Sequence, residues 1–215
     1  MPNLSQLRTY EPASSVVFRK TKDRFGGLSN MAGGFPINVN GVQIGTSEAL
    51  YQACRFPHMP EVQQLIISEA SPMTAKMRSR FYRDQSREDW MSVRIKIMRW
   101  CLQVKLAQNW QAFSTLLLKT GDKPIVEYSR NDGFWGAQPQ EDGTLQRISV
   151  LGRLPMELRQ KAKPVQATDL FRVHPLPLRN FLLCGRLIET VEAEVRSDRF
   201  EANRAEPTQI NLFDE

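Results

Sequence analysis

The sequence of 215 residues has few of the cysteines and histidines that form disulfides and zinc sites, and it has no long apolar run. It contains three cysteines, two histidines and no C-x-x-C pair, so neither a disulfide framework nor a zinc site is expected. No apolar run approaches the ~20 residues that a bilayer-spanning helix needs. The N-terminal residues also lack the charged-then-apolar order of a signal peptide. We therefore expect a soluble, cytoplasmic protein that has no metal and does not contact a membrane.

Motifs of several common enzyme classes are also missing. The sequence has no G-x-x-x-x-G-K-[ST] phosphate loop and no G-x-G-x-x-G fingerprint after a strand. It has no G-x-S-x-G nucleophile elbow and no H-E-x-x-H metal-binding pair. These absences disfavour most cofactor-dependent chemistries and serine-elbow hydrolysis.

Positive charge is concentrated in one part of the chain. The 29 Lys and Arg residues exceed the 23 Asp and Glu residues by six. Residues 1–163 have a surplus of nine positive charges, whereas residues 164–215 have an excess of three negative charges. Residues 72–105 alone carry nine Lys and Arg residues against three acidic ones. Such a concentration attracts polyanions such as phosphates, although a solvated helix face is an equally good interpretation.

Hydrophobic periodicity and turn residues predict an α+β fold that is mainly helical, with a small β-sheet. Strands are predicted at residues 15–19, 35–39, 42–45 and 125–128, with a hairpin turn at Asn40 and Gly41. Helices are predicted from Thr46 onward and at residues 61–70, 72–82, 87–107, 110–118 and 154–163. Residues 1–163 are interpreted as the catalytic domain. Residues 164–215, where prolines and then acidic residues accumulate, are interpreted as a C-terminal accessory extension.

Seven short motifs follow one another in an order that resembles a known family. They are Phe25–Asn30 behind Phe18, Thr46–Phe56, Trp90 with Met98, Lys105–Asn109, Leu117 with Thr120–Gly121, Glu127–Gly136, and Leu151–Gly152 with Met156 and Arg159. Over about residues 16–162 the chain resembles the NADAR family, the YbiA-like N-glycosidases. The resemblance implies hydrolysis of a C–N bond on a ribose without a metal or redox cofactor. Known members act on early riboflavin-pathway intermediates or remove ADP-ribose from guanine bases, some as antitoxins of DarT-type toxins that ADP-ribosylate DNA.

Two acidic residues of these motifs are the predicted catalytic residues. Glu48 matches the T-S-E motif in the first turn of a predicted helix, whose N-terminus is expected to keep the carboxylate ionised. It would stabilise an oxocarbenium-like sugar or activate water. Asp132 would bind the ribose hydroxyls or assist proton transfer. An Asx turn before Gly133 is an equally good interpretation of Asp132.

The same motifs contain the predicted substrate contacts. Trp90 and Trp135 are expected to stack on a base, with core packing as the alternative. Ser29 and Asn30 are expected to bind a phosphate or a base edge, with loop capping as the alternative. The complete predicted set of substrate-binding residues is Phe18, Lys20, Ser29, Asn30, Tyr51, Arg55, Trp90, Phe134, Trp135 and Gly136.

Three further residues qualify these expectations. Lys105 is expected to be a structural partner for a buried acid rather than a catalyst. Arg55 stands where the family often has Lys, and Ser149 stands where it often has Asn. The substrate is therefore less determined by the sequence than the class of reaction.

The leading functional hypothesis is removal of ADP-ribose from guanine in DNA, with ADP-ribosylated DNA and a DarT-like toxin as partners. The alternatives are an N-glycosidase for a phosphorylated riboflavin-pathway intermediate and a non-catalytic nucleic-acid-binding module. Near the C-terminus, Gln209, Leu212 and Phe213 match the Q-x-x-L-F pattern with which bacterial replication proteins dock on the sliding clamp. An apolar tail folded back on its own domain would show the same residues.

Overall fold

A computed structural model describes residues 7–147, 150–163 and 170–193, and these residues form the predicted α+β fold. Their α-helices are α1 (Ser47–Ala53), α2 (Pro60–Ile67), α3 (Pro72–Phe81), α4 (Trp90–Gln108), α5 (Trp110–Leu118) and α6 (Val150–Ala162). Short 3-10 helices lie at Pro12–Ser14, Gly26–Leu28 and Arg83–Gln85. No helix within the described residues has the length and apolar composition to cross a membrane. The clamp-like residues Gln209, Leu212 and Phe213 lie outside the described residues.

The strands are short and form several small sheets. They are β1 (Arg8–Tyr10), β2 (Val16–Phe18), β3 (Ile37–Val39), β4 (Val42–Ile44), β5 (Ile125–Glu127), β6 (Gln138–Pro139), β7 (Leu145–Arg147), β8 (Arg172–Val173), β9 (Leu182–Leu183), β10 (Arg186–Leu187) and β11 (Val191–Glu192). Antiparallel pairing joins β1, β7 and β6 in that order, β3 with β4, β8 with β11, and β9 with β10. Only the pair β2 and β5 is parallel among the described strands.

The hairpin of β3 and β4 confirms the turn predicted from Asn40 and Gly41. Both residues have positive φ angles, 54° and 82°, which a two-residue hairpin turn of type I′ requires at both central positions. Asn and Gly adopt this conformation more readily than other residues do. The turn sets the register in which Ile37 pairs with Ile44, and both side chains are buried in the core.

Helix α1 lies at the centre of the helical layer. The Thr46 hydroxyl accepts a hydrogen bond from the backbone N–H of Ala49 at 3.2 Å and so caps the helix predicted from Thr46 onward. The helix packs against α2, α3 and α4, and all seven of its residues are buried. A polar side chain on α1 must therefore find its hydrogen-bond partners inside the protein.

Helix α6 begins four residues earlier than predicted, at Val150 rather than Leu154. The backbone N–H groups of Val150 and Leu151 donate hydrogen bonds to the carbonyl oxygens of Phe134 and Trp135, at 3.2 and 3.0 Å. The first N–H groups of a helix have no partner within it, and here the loop after β5 satisfies them. These contacts tie the loop that carries Asp132 to the core.

Residues 170–193 belong to the same hydrophobic core as the preceding helices. Phe181, Leu183 and Ile188 are buried within it. The Trp100 indole N–H donates a hydrogen bond to the His174 carbonyl at 3.0 Å. This part of the predicted accessory extension is thus integral to the packing of the fold, while the boundary at residue 163 stays a prediction.

Candidate active site

A cleft of about 500 Å³ lies where the carboxyl ends of β2 and β5 meet α1, α3 and α4. Because Phe18 pairs with Glu127 in the parallel register, the residues after both strands emerge at the same edge. Arg19 therefore lines the cleft beside Glu127. The acidic residues of the lining are Glu48, Glu127 and Asp132, and the basic residues are Arg19, Arg55, Lys76, Arg80, Arg83 and Arg94.

Glu48 lies on the first turn of α1 at the inner wall of the cleft and is only 2% exposed. One carboxylate oxygen accepts a hydrogen bond from the Asn30 amide nitrogen. The other accepts a hydrogen bond from the Gln52 amide nitrogen at 2.8 Å. Gln52 is itself held by the Ser79 hydroxyl, which donates to its amide oxygen at 2.7 Å. Both carboxylate oxygens of Glu48 are therefore held in fixed positions by amide donors.

Burial raises the pKa of Glu48, with the Lys76 charge and the Gln52 hydrogen bond acting in the opposite direction. The direction is opposite to the effect expected from the N-terminus of α1. That expectation neglected desolvation, which disfavours the charged form of a buried carboxyl group. The amide donors of Asn30 and Gln52 nevertheless match an ionised carboxylate, because each donates an N–H to an oxygen that carries negative charge.

Glu127 is a second carboxyl group of the cleft and is half-buried. The sequence interpretation did not single it out as a site residue. It ends β5 and accepts a hydrogen bond from the Ser29 hydroxyl at 3.1 Å. Burial and the nearby Glu48 charge raise the pKa of Glu127 to about 7, while the Ser29 hydrogen bond lowers it. A carboxyl group with this pKa is present in both protonation states near neutral pH, as a general acid or base requires.

Asp132 serves as both a turn residue and a cleft residue, so the two sequence interpretations are compatible. Its Oδ1 atom accepts hydrogen bonds from the backbone N–H groups of Phe134 and Trp135, at 3.2 and 3.0 Å. This is the Asx turn expected before Gly133. Asp132 also lines the cleft. The turn holds the carboxylate in position there.

A close approach at Gly136 fixes the same loop against β5. A Cβ atom at this position would lie 2.6 Å from the Ser129 Cβ and 3.0 Å from the Glu127 carbonyl oxygen. Only glycine therefore allows the loop to approach Glu127 this closely.

Three aromatic side chains form one cluster at the cleft. The ring of Tyr51 contacts the rings of Trp90 and Trp135, with centroid distances of 5.0 and 5.6 Å. Trp90 and Tyr51 are buried, whereas Trp135 is half-buried. The Arg55 guanidinium lies over the Trp90 ring at 5.2 Å. The cleft wall thus has aromatic rings next to a guanidinium group.

Lys105 is fully buried and is not part of the cleft lining. Its ammonium group donates hydrogen bonds to the carbonyl oxygens of Gly27 and Ser29, at 2.7 and 3.0 Å. Its hydrogen-bond partners among the described residues are thus backbone carbonyls, and the acid that acts on it, Glu127, does so through its charge. Burial lowers the pKa of Lys105 to about 7, and the Glu127 charge opposes this shift. Lys105 fixes the loop from which Ser29 and Asn30 reach the two glutamates.

The structure brings most of the predicted site residues together. Those that line the cleft are Glu48, Asp132, Asn30, Tyr51, Arg55, Trp90, Trp135 and Gly136.

The other predicted residues do not line the cleft. Ser29 is buried behind the wall and donates a hydrogen bond to Glu127. Phe18 is a core residue at 2% exposure, and Lys20 is exposed outside the cleft. Phe134 stacks under the Arg94 guanidinium at 3.8 Å and does not line the cleft. The roles of all these residues in binding and catalysis stay predictions.

The family model of the NADAR domain matches residues 17–163 of this chain. The chain belongs to the NADAR family. It is 34% identical over 168 residues to the N-glycosidase YbiA of Escherichia coli, covering 75% of this chain and 97% of that protein. The NMR structure of YbiA from E. coli matches with a TM-score of 0.58 and 33% identity, covering 69% of this chain and 84% of that one. A riboflavin biosynthesis protein of Vibrio vulnificus is 30% identical over 148 residues, which are 68% of this chain and 38% of that protein. Membership of the NADAR family and these relatives support N-glycosidase activity.

Proposed function

We propose that this NADAR protein hydrolyses the N-glycosidic bond between ADP-ribose and a guanine base in DNA. The observation that carries the proposal is the set of six cationic side chains around the cleft, next to three carboxylates and an aromatic cluster. The pyrophosphate of ADP-ribose presents two negatively charged groups, and arginine binds phosphate oxygens through two parallel hydrogen bonds. The cluster of Tyr51, Trp90 and Trp135 is suited to contact a planar base.

The reaction needs one group that protonates the leaving base and one that guides water. Glu127 is suited to donate the proton to the leaving guanine nitrogen, because its pKa of about 7 leaves a protonated fraction at neutral pH. Glu48, held by two amide donors, would stabilise the positive charge that develops on the sugar. Asp132 would orient a water molecule or a ribose hydroxyl from its turn.

The bond changes are those of a simple hydrolysis. The C–N bond breaks with its electron pair going to the guanine nitrogen, which takes the Glu127 proton. Water forms the new C–O bond at the anomeric carbon and loses a proton to a carboxylate of the site. The products are free ADP-ribose and unmodified guanine. The carboxylate that took the proton of water releases it to solvent, and Glu127 regains one proton from solvent. Fixed carboxylates on both sides of a scissile glycosidic bond are the usual solution for this chemistry.

A second candidate substrate is a phosphorylated riboflavin-pathway intermediate. The Vibrio relative, which is named a riboflavin biosynthesis protein, favours this candidate. A monophosphate substrate would need fewer cations than the cleft has, so the six basic side chains favour the ADP-ribosylated substrate. Both candidates share the same bond chemistry and the same glutamates.

The two substrates can be compared directly with the purified full-length protein. We expect release of ADP-ribose from an oligonucleotide with ADP-ribosylated guanine, at a higher kcat/KM than release of base from an aminouracil-type ribosyl phosphate. Glu48→Gln should reduce the rate by about 10²-fold or more, because an amide cannot balance the developing positive charge. Mass spectrometry of the products measures both reactions. Faster release from the monophosphate would favour the second candidate, and release from neither would overturn N-glycosidase activity on both.

A further inference from the structure

An exposed apolar stripe runs along the outer face of α3, next to the cleft. Met73, Met77 and Phe81 are 55%, 53% and 77% exposed. They recur every fourth residue, so at 100° per residue they lie within about 80° of the helix surface. Ala75 and Ser79, on the opposite side of α3, are buried. The stripe therefore faces solvent although it consists of large apolar side chains.

The stripe is continuous with the basic wall of the cleft. Met73, Lys76 and Arg80 of α3 line the cleft, whereas Met77 and Phe81 lie beyond it. Lys76 and Arg80 are one helical turn, about 6 Å, apart and flank the stripe on the side of Met73. A ligand that leaves the cleft over α3 would thus meet two cations and then two exposed apolar side chains.

We propose that this face of α3 binds the nucleotides that flank the modified base in a single DNA strand. The inference rests on the proposed function, because it concerns how a base in a polymer reaches the cleft. An enzyme that acts on a base must take it out of the stack, which leaves the neighbouring bases without their stacking partners. Lys76 and Arg80 would contact the phosphates, and Met77 and Phe81 would cover the exposed base faces. Cations next to an exposed aromatic ring, here Phe81, are typical of single-strand binding.

The charge pattern decides between a DNA strand and other occupants. Lys76 and Arg80 adjoin the apolar side chains on the same helix and line the cleft. A protein partner with an apolar anchor would not need the cations to continue into a catalytic cleft. A polyanion with aromatic bases matches both halves of the surface and its connection to the site.

Binding can be measured without any hydrolysis, using an unmodified, fluorescein-labelled single-stranded DNA of 15 nucleotides and fluorescence anisotropy. The double variant Met77→Ala with Phe81→Ala is expected to raise the Kd of the full-length protein by about tenfold, because base contacts on exposed apolar side chains are lost. Leu187→Ala, at an apolar residue that is 70% exposed on β10, is the matched control and should leave the Kd unchanged. Both variants alter exposed side chains, so circular dichroism should report an intact fold.

The outcomes separate this inference from the proposed reaction. Equal Kd values for the wild type and the double variant would overturn the α3 surface, even if ADP-ribose is released. No measurable binding of the strand by the wild type would overturn it as well, as would binding to anionic lipid vesicles in place of DNA. Binding that depends on Met77 and Phe81 without release of ADP-ribose would support the surface and reject the reaction.

Discussion

At the scale of single residues, the surroundings of the three cleft carboxylates differ in ways that suit different tasks. Glu48 is held by two side-chain amides. Glu127 has a single serine hydroxyl as its side-chain partner among the described residues and a pKa of about 7. Asp132 is held by two backbone N–H groups of its own turn. Carboxyl groups whose surroundings differ can divide the tasks of acid and of charge stabilisation between them.

The role of Glu127 as a proton donor can be tested by its pH dependence. If the protonated form is the active one, kcat should fall about tenfold per pH unit above about pH 7, where the proton is lost. Glu127→Gln should lower kcat by about 10²-fold or more and remove this decline. Rates of base release between pH 5.5 and 9 provide the measurement. The exposed Glu141 provides the control, since Glu141→Gln should keep the pH dependence of kcat of the wild type. A kcat of Glu127→Gln that still falls above pH 7 would contradict the role of Glu127 as proton donor.

At the scale of elements, local signals in the sequence predicted some boundaries and could not predict others. Helix α5 occupies the predicted residues Trp110–Leu118, because an apolar period and a stop at Gly121 define it locally. The start of α6 depends on carbonyl oxygens of Phe134 and Trp135, which no local pattern reveals. Such ends are determined by tertiary contacts rather than by propensity.

The site was predictable to a similar extent. Glu48 could be found because it belongs to a distinctive motif at a helix start. Glu127 is a single acid at the end of a three-residue strand, and the parallel pairing of β2 with β5 brings it into the cleft. The packing of residues 170–193 into the core was also hidden, because their prolines and short apolar runs are equally typical of an exposed linker.

The contribution of residues 170–193 to stability can be tested at Phe181. This ring is 3% exposed and packs edge-on against Trp100, with centroids 5.0 Å apart. Phe181→Ala should lower the free energy of unfolding by about 3–5 kcal/mol, since it removes buried apolar surface and leaves a cavity. Leu187→Ala, in the neighbouring exposed strand, should change it by less than about 0.5 kcal/mol. Urea unfolding followed by tryptophan fluorescence measures both, and equal effects would mean that this segment is not part of the core.

At the scale of the whole molecule, buried carboxyl groups oppose folding where they are ionised. Burial raises the pKa of both Glu48 and Glu127 above the ordinary value of 4.5. The folded state therefore binds more protons than the unfolded state at intermediate pH, and stability falls as pH rises through this range. Because the cleft wall desolvates these carboxyl groups, it lowers the stability of the protein at neutral pH.

The pH range in which Glu127 lowers stability is separate from the ranges of the other groups with shifted pKa values. For Glu127 the loss of stability should begin near pH 4.5 and be complete near pH 7, amounting to roughly 3 kcal/mol. The lowered pKa of Lys105, about 7 against 10.5, affects stability only above that range. The lowered pKa values of Asp23, Asp89, Asp122 and Asp142 affect stability only below about pH 4.

Urea unfolding of the wild type and of Glu127→Gln between pH 5 and 8 therefore isolates the effect of one carboxyl group, that of Glu127. The free energy of unfolding of the variant, relative to that of the wild type, should rise with pH up to about 7 and then stay level. A difference that does not change with pH would show that Glu127 does not titrate in the folded protein in this range.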